Sequence, residues 1–221
     1  MENALIIGAS GGIGTSVAQE LDRRGVAVTG LSRRVQGFDV TDPASVDQHL
    51  EKLQGPFDLI FIAVGILAPD GAGPEKALAA VEAATMAHVM AVNAIGPALI
   101  LRHVPRLLAK DRPAVVATLS ARVGSIGDNT IGGWHSYRAS KAALNQIIRG
   151  AAIELRRSHK QAACVALHPG TVETPFTADY ASRHKTIPAP DAALHLLDVI
   201  AGLTPAQSGH FYDYAGKEVP W

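Results

Sequence analysis

Three features of the sequence predict an α/β architecture with a doubly wound parallel sheet. Short apolar runs alternate with longer helical patterns along the whole chain. A glycine-rich turn, Gly8-Ala-Ser-Gly-Gly-Ile-Gly14, follows the first apolar run and opens the first helical pattern. The run at Phe57–Val64 is continuously apolar rather than alternating, as expected of a strand covered on both faces. Together they describe a Rossmann-type sheet of about six to seven strands, in one domain spanning residues 1–221.

Each element has its own warrant. Ala4–Ile7 is the first strand, and the helix after it runs to Arg24, where Gly25 ends it. Val26–Leu31 is the second strand. Pro43–Gln54 reads as a helix, with Asp42 as N-cap and proline at its first position. Glu75–Ala109 is alanine-rich and helical, with an interruption around Gly96-Pro97. Ala114–Leu119 is a strand, Ser136–Ser158 a helix and Ala162–Leu167 a strand. Asp191–Gly202 and His210–Asp213 are the last helix and strand. Only six residues separate Leu31 from Phe38, too few for a parallel crossover of a dozen or more. No helix is expected there, and at Phe38 only a rudimentary strand.

Composition excludes several function classes. Twenty basic and 20 acidic side chains cancel, which argues against an electrostatic partner such as nucleic acid or an acidic membrane. No apolar run approaches the ~18 residues of a membrane helix. The N-terminus shows neither a basic n-region nor a cleavage pattern, so a cytoplasmic protein is expected. Cys164 stands alone in an apolar run and reads as a core thiol. No His/Cys/Asp spacing suggests a metal site.

The chemistry lies in three places. Glycines after a strand let the backbone approach a pyrophosphate lying on a helix N-terminus, so Gly8, Ser10, Gly12, Ile13 and Gly14 form a candidate phosphate cradle. Beyond the second strand, where an acidic residue would accept from a ribose 2′-hydroxyl, the chain has Ser32-Arg33-Arg34. Two guanidinium groups suit a 2′-phosphate, which predicts NADP(H) in preference to NAD(H). The short link after the arginines leaves the adenine side open. Tyr137 and Lys141 stand at i and i+4 on one helix face. An ammonium beside a phenol favours the phenolate, and such a tyrosine can exchange a proton with a carbonyl oxygen while hydride reaches the carbon.

With these motifs in place, the sequence resembles the short-chain dehydrogenase/reductase family over nearly its whole length. The resemblance rests on Gly8-x-x-x-Gly12-Ile-Gly14, Asp39-Val40, Asn93 in Val-Asn-Ala-Ile-Gly, Tyr137-Arg-Ala-Ser-Lys141 and Pro169-Gly-Thr-Val-Glu-Thr174. The segments Gly124-Ser-Ile-Gly-Asp-Asn-Thr and Phe211-Tyr-Asp-Tyr-Ala-Gly…Pro220-Trp221 look like the C-factor and sniffer-type carbonyl reductase subgroup. The resemblance implies an oxidoreductase of small carbonyl compounds or their alcohols. Tyr137 would be its acid/base, Lys141 would lower the tyrosine pKa and hold the nicotinamide ribose, and Asn93 would bend its helix and anchor a relay water. It also implies that Asp39 and Val40 meet the adenine, that Ala63, Val64 and Gly65 border the cofactor, and that Pro169, Gly170, Val172 and Thr174 run along the nicotinamide. A homodimer or homotetramer is the family habit.

Two departures qualify the match. Ile62-Ala63-Val64-Gly65 stands where the family has Asn-Asn-Ala-Gly, so the glycine turn is kept and the asparagine side chains are not. The second of the family's paired serines, which polarises the carbonyl, aligns with Ala121. Ser120 is the leading replacement, Ser125 is the second, and the third possibility is that no serine serves. Ser136 reads as a helix-terminus cap. His135 and His168 read as packing or hydrogen-bonded structural residues. Phe176–Pro190 would cover the substrate, with Tyr180 and His184 as lining.

Overall fold

The computed structural model describes residues 1–69, 71–174, 176 and 186–221. Its strands are β1 (Asn3–Ile7), β2 (Ala27–Leu31), β3 (Leu59–Ile62), β4 (Ala114–Leu119), β5 (Ala162–His168), β6 (Val172–Glu173), β7 (Ile187–Pro188) and β8 (Phe211–Asp213). Six of them form one all-parallel sheet in the order β2-β1-β3-β4-β5-β8. β6 and β7 form a separate parallel pair. Every central strand is buried on both faces, which is why its sequence does not alternate. Leu5, Ile7, Ile60 and Ile62 point to one face, and Ala4, Ile6, Leu59 and Phe61 to the other.

The helices α1 (Gly12–Arg23), α2 (Arg33–Gln36), α3 (Pro43–Glu51), α4 (Ala83–Met90), α5 (Gly96–Leu101), α6 (Val104–Leu107), α7 (His135–Leu155) and α8 (Ala189–Ala201) supply those covers. α1 and α8 cover one face through Val17, Leu21, Leu196 and Ile200. α3, α5, α6 and α7 cover the other through Val46, Leu50, Ile100, Leu107, Leu144 and Ile148. The crossovers bring the C-terminal ends of β1, β3, β4 and β5 to one edge, where an open α/β sheet binds its ligands.

Three sequence expectations need correction. The link after β2 does hold one helical turn, α2, whose Ser32 N-cap hydroxyl accepts from the Val35 N–H at 3.4 Å. Phe38 forms no strand; instead it is 2% exposed and belongs to the core shared with α3. The long helix begins at Ala83, not Glu75, because Glu75 and its neighbours are drawn onto the start of α7. Alanine propensity, a weak prior, loses to that tertiary contact.

The expected interruption near Gly96-Pro97 takes a definite form. Residues Ala91–Ile95 make a π-turn between α4 and α5. Pro97 has no N–H to return to the Asn93 carbonyl four residues back, so the α-ladder must widen there. Ala83–Leu101 is nonetheless long and apolar enough by composition to cross a membrane, contrary to the sequence expectation. It lies instead along the sheet, where Asn93, Ala94 and Ile100 are buried.

Phe38 is buried in one core cluster with Val40, Val46 and Leu50. Phe38→Ala is expected to lower unfolding free energy by about 3–5 kcal/mol, the cost of a large core truncation, measurable as a drop in denaturant midpoint at unchanged slope.

Candidate active site

The glycine turn between β1 and α1 is shaped by contact. Gly8 has φ 87°, and a Cβ there would run into the carbonyl of Ala63 at the end of β3. A Cβ on Gly14 would strike the Gly8 carbonyl in the same way. α1 begins with Gly11 as N-cap, with no side-chain cap and no acidic residue in its first turn. Its first N–H groups therefore point out of the turn unneutralised, the arrangement that accepts a phosphate. Arg34 reaches back across this turn, its Nη2 donating to the Ser10 carbonyl at 3.2 Å.

Past β3, the chain Ile62-Ala63-Val64-Gly65 keeps its course without the family's asparagines. Ile62 is fully buried in the core, and the Ala63 N–H donates to the Ile7 carbonyl at 2.7 Å. The next residue, Ile66, is clasped by Asn93. The Asn93 Oδ1 accepts from the Ile66 N–H at 2.8 Å, and its Nδ2 donates to the Ile66 carbonyl at 2.8 Å and to Ser140 Oγ at 3.0 Å. Gly65 lies against this clasp: a Cβ there would be 3.2 Å from Lys141 Nζ and 3.3 Å from Asn93 Oδ1.

Tyr137 and Lys141 open α7, on the face turned to the sheet. Both are buried, and Lys141 Nζ lies 5.9 Å from the Tyr137 ring centroid and donates to the Leu119 carbonyl at 3.0 Å. Burial pushes the Tyr137 phenol up and the Lys141 ammonium down from 10.5 to about 7. In the resting site burial sets the Tyr137 pKa, which lies above its ordinary value, whereas the sequence predicts a lowered one.

The start of α7 depends on Glu75, which sequence reasoning missed. Its carboxylate accepts from the Ser136 hydroxyl and, at 3.2 Å, from the Ser136 N–H. Its carbonyl accepts from the N–H of Trp134, which sits in the left-handed region at φ 52°. Burial would raise the Glu75 pKa, but these hydrogen bonds outweigh it and hold the carboxyl below its ordinary value. Ser136 does serve the helix terminus, as its position suggested, through a carboxylate 61 residues away. That separation leaves no local signal in the sequence.

The serines divide clearly. The Ser120 hydroxyl lies 2.6 Å from Asn145 Oδ1, while Asn145 Nδ2 donates to the Gly124 carbonyl at 3.3 Å. That second bond fixes the amide orientation, so Ser120 must be the donor, and its one proton is committed. The expectation that Ser120 polarises a carbonyl therefore does not match this geometry. Ser125 is 1% exposed and accepts from the Asp128 N–H at 3.1 Å, facing its own turn. Ala121, which follows Ser120, lines the cavity.

That cavity measures about 730 Å³ and runs from the glycine turn to Tyr137. Ser10, Gly12, Ile13, Gly14, Ala63, Val64, Gly65, Ser120, Tyr137, Lys141, Pro169, Gly170, Val172 and Thr174 all line it, as do Trp134, Arg138 and Phe176. Thr174 closes over the turn: a Cβ on Gly12 would come within 2.5 Å of its Cγ2. Gly8, Arg33, Arg34, Asp39, Val40, Asn93, Ser125 and His135 are not among its lining residues. The Asp39 carboxylate turns to Thr41, accepting from its hydroxyl at 2.7 Å and its N–H at 2.8 Å, which lowers the Asp39 pKa. Val40 packs on Gly96.

His168 lines the cavity, but its Nδ1 is buried without a partner, not hydrogen-bonded as expected. Burial, with Arg122 adding to it, pushes its pKa down to about 4, so the ring is neutral. Cys164 is buried and its thiol is pushed up to about 12, as a core thiol should be. Among the described residues no His/Cys/Asp/Glu group could hold a metal. Tyr180 and His184 lie outside the described residues.

Residues 8–200 match the family described as enoyl-(acyl carrier protein) reductase. The chain is 39% identical to C-signal of Myxococcus xanthus over 167 residues, covering 76% of this chain and 94% of that protein. It is 31% identical to 1-hydroxy-2-glutathionyl-2-methyl-3-butene dehydrogenase of Rhodococcus sp. (strain AD45), covering the whole of both. The NADPH-bound carbonyl reductase from chicken fatty liver superimposes with a TM-score of 0.84 at 25% identity, over 100% of this chain and 99% of that one. Glycine turn, Asn93 clasp and Tyr137–Lys141 pair thus stand in a chain that belongs to the short-chain dehydrogenase/reductase family.

Proposed function

We propose that the protein is an NADP(H)-dependent oxidoreductase that reduces a small aldehyde or ketone, or oxidises the corresponding alcohol. The observation that carries this reading is the continuity of one cavity from the uncapped N-terminus of α1 to the Tyr137 phenol. The residues fit a dinucleotide. Cβ-free positions at Gly8 and Gly14 leave room only for backbone, Arg33 and Arg34 follow β2, and Arg34 already stands beside the turn. When bound, the nicotinamide supplies or accepts the hydride.

The protein's own residues handle the proton. Burial keeps Tyr137 protonated at neutral pH, so it approaches a carbonyl oxygen as an acid. The phenolate left behind is stabilised by the Lys141 ammonium beside it. The carbonyl is held by Tyr137 alone, because the Ser120 proton belongs to Asn145 and residue 121 has no hydroxyl. In this reading a relay water is anchored by the Asn93 backbone, since both side-chain amide protons are spent and Pro97 offers its carbonyl no N–H. A homo-oligomer built on the long helices belongs to the same reading: Ile95 and Ile153 are half-exposed on them.

A second reading is favoured by Ala121 and by the likeness to a protein named C-signal: nucleotide binding without turnover. Purified protein is expected to oxidise NADPH with members of a small aldehyde and ketone panel. Tyr137→Phe should abolish this, whereas Ser120→Ala should leave kcat/KM within a few-fold. NADPH binding with no turnover across the panel would instead establish the second reading.

Arg33→Ala with Arg34→Ala should raise the Kd for NADPH by about tenfold or more while NADH is nearly unaffected, as loss of a 2′-phosphate grip demands. Equal weakening of both nucleotides would sink the cofactor preference.

Lys141 makes stability depend on pH. Its folded pKa of about 7 lies below its ordinary 10.5, so burial of the charge costs stability fully below pH 7. The cost fades as pH rises from 7 to 10.5, where only the unfolded chain still holds the proton. Lys141→Met should therefore gain most in thermal stability over the native protein near pH 6, with the gap narrowing toward pH 10. A gap independent of pH would contradict the buried ammonium.

A further inference from the structure

The substrate end of the cavity is apolar, with Ala121, Val123, Ile131, Trp134 and Phe176 in its wall, yet its charges are all of one sign. Arg122, Arg138 and Lys141 line the cavity, and among the described residues no carboxylate does. Lys141 donates to the Leu119 carbonyl and stands beside Tyr137, and Arg122 pairs with Asp128 at 2.6 Å. Arg138 differs from both. It follows Tyr137 directly in α7 and is half-buried. Its Nε donates to the carbonyls of Gly132 and Gly133 at 3.2 and 3.0 Å, and Nη1 donates to the Val123 carbonyl at 3.4 Å.

These three acceptors are neutral, and Arg138 makes no ion pair with any described residue. Nη2 makes no hydrogen bond within the described structure. A guanidinium drawn out of water is ordinarily matched by a carboxylate. Here the carbonyls fix the plane of the group and leave both Nη2 protons and the second Nη1 proton for a carboxylate or phosphate, which a guanidinium fork receives through two parallel bonds. Desolvation, its sole perturbation, lowers the Arg138 pKa, as expected of a cation lacking a counter-charge. The phosphates of a dinucleotide do not supply one, because their cradle is the α1 turn at the other end of the cavity.

We propose that Arg138 is the anion-binding group of the substrate pocket, and that the substrate is a carbonyl compound, or its alcohol, with an apolar body and a carboxylate or other anionic oxygen group. This rests on the oxidoreductase reading for the reacting group, and on Arg138 alone for the anionic end.

The test compares 4-carboxybenzaldehyde with benzaldehyde, by NADPH oxidation and by calorimetric binding to the protein with NADP⁺ present. The native protein should favour the carboxylate by about tenfold to a hundredfold in kcat/KM, the range of a charge-assisted pair. Arg138→Met should bring the ratio near one by raising KM for 4-carboxybenzaldehyde alone, and Arg138→Lys should restore part of it. A native ratio near one, or equal losses on both aldehydes in Arg138→Met, would overturn the proposal and leave Arg138 as a staple of residues 123 and 132–133. If neither aldehyde turns over, binding decides. Carboxylate-dependent binding lost in Arg138→Met upholds the anion site while the oxidoreductase reading fails, and equal binding of both aldehydes overturns the site.

Discussion

The side-chain amide of Asn93 joins three stretches of chain that no ladder of the sheet or helices connects. It closes on both backbone groups of Ile66 beyond β3 and on the Ser140 hydroxyl in α7. Ser140 in turn donates to the Tyr137 carbonyl at 2.8 Å, so the clasp reaches the residue that bears the phenol. The π-turn at Ala91–Ile95 is the local backbone form that lets Asn93 sit there at 0% exposure. Gly65 completes the fit, because any side chain at that position would press on both Asn93 and Lys141. Remove the clasp and the end of β3, the long helix and the start of α7 lose their common reference point.

Around that point the side chains are buried and short of compensating charge. Tyr137 keeps its proton because burial penalises the phenolate, and Lys141 gives its proton up more easily because burial penalises the ammonium. Lys141 is held by its bond to the Leu119 carbonyl, and the Tyr137 ring by contacts with Trp134 and Phe176. Glu75 does the corresponding work at the buried N-terminal end of α7, where its carboxylate meets the Ser136 N–H and the helix dipole favourably. The Tyr137–Lys141 pair is thus fixed from two sides, by the Asn93 amide and by the Glu75 carboxylate.

Much of this was legible in the sequence, and the reason is local. The glycine turn, the strand runs and the Tyr137–Lys141 spacing each carry their physics within a few residues. Ala114–Leu119 was bounded correctly because a fully buried strand between turn residues has no competing pattern. What could not be read depends on distant partners. The donor role of Ser120 is set by Asn145, 25 residues on, and the failure of Glu75 to join a helix is set by Ser136. His168 was misjudged for the opposite reason, since a strand-end histidine usually finds a partner and here Nδ1 does not. The single turn of α2 arose because Ser32 and Gly37 cap four residues tightly enough to fit a link thought too short.

The position of Thr174 over Gly12 has a consequence for synthesis. The cradle is synthesised well before the residue that roofs it, which emerges only after β5 is complete. At about 5–20 residues per second, that leaves the turn uncovered for roughly ten to thirty seconds. The contact between floor and roof cannot form in that interval, so it gives no help to the folding of the N-terminal half. It can stabilise only a chain already built through Thr174.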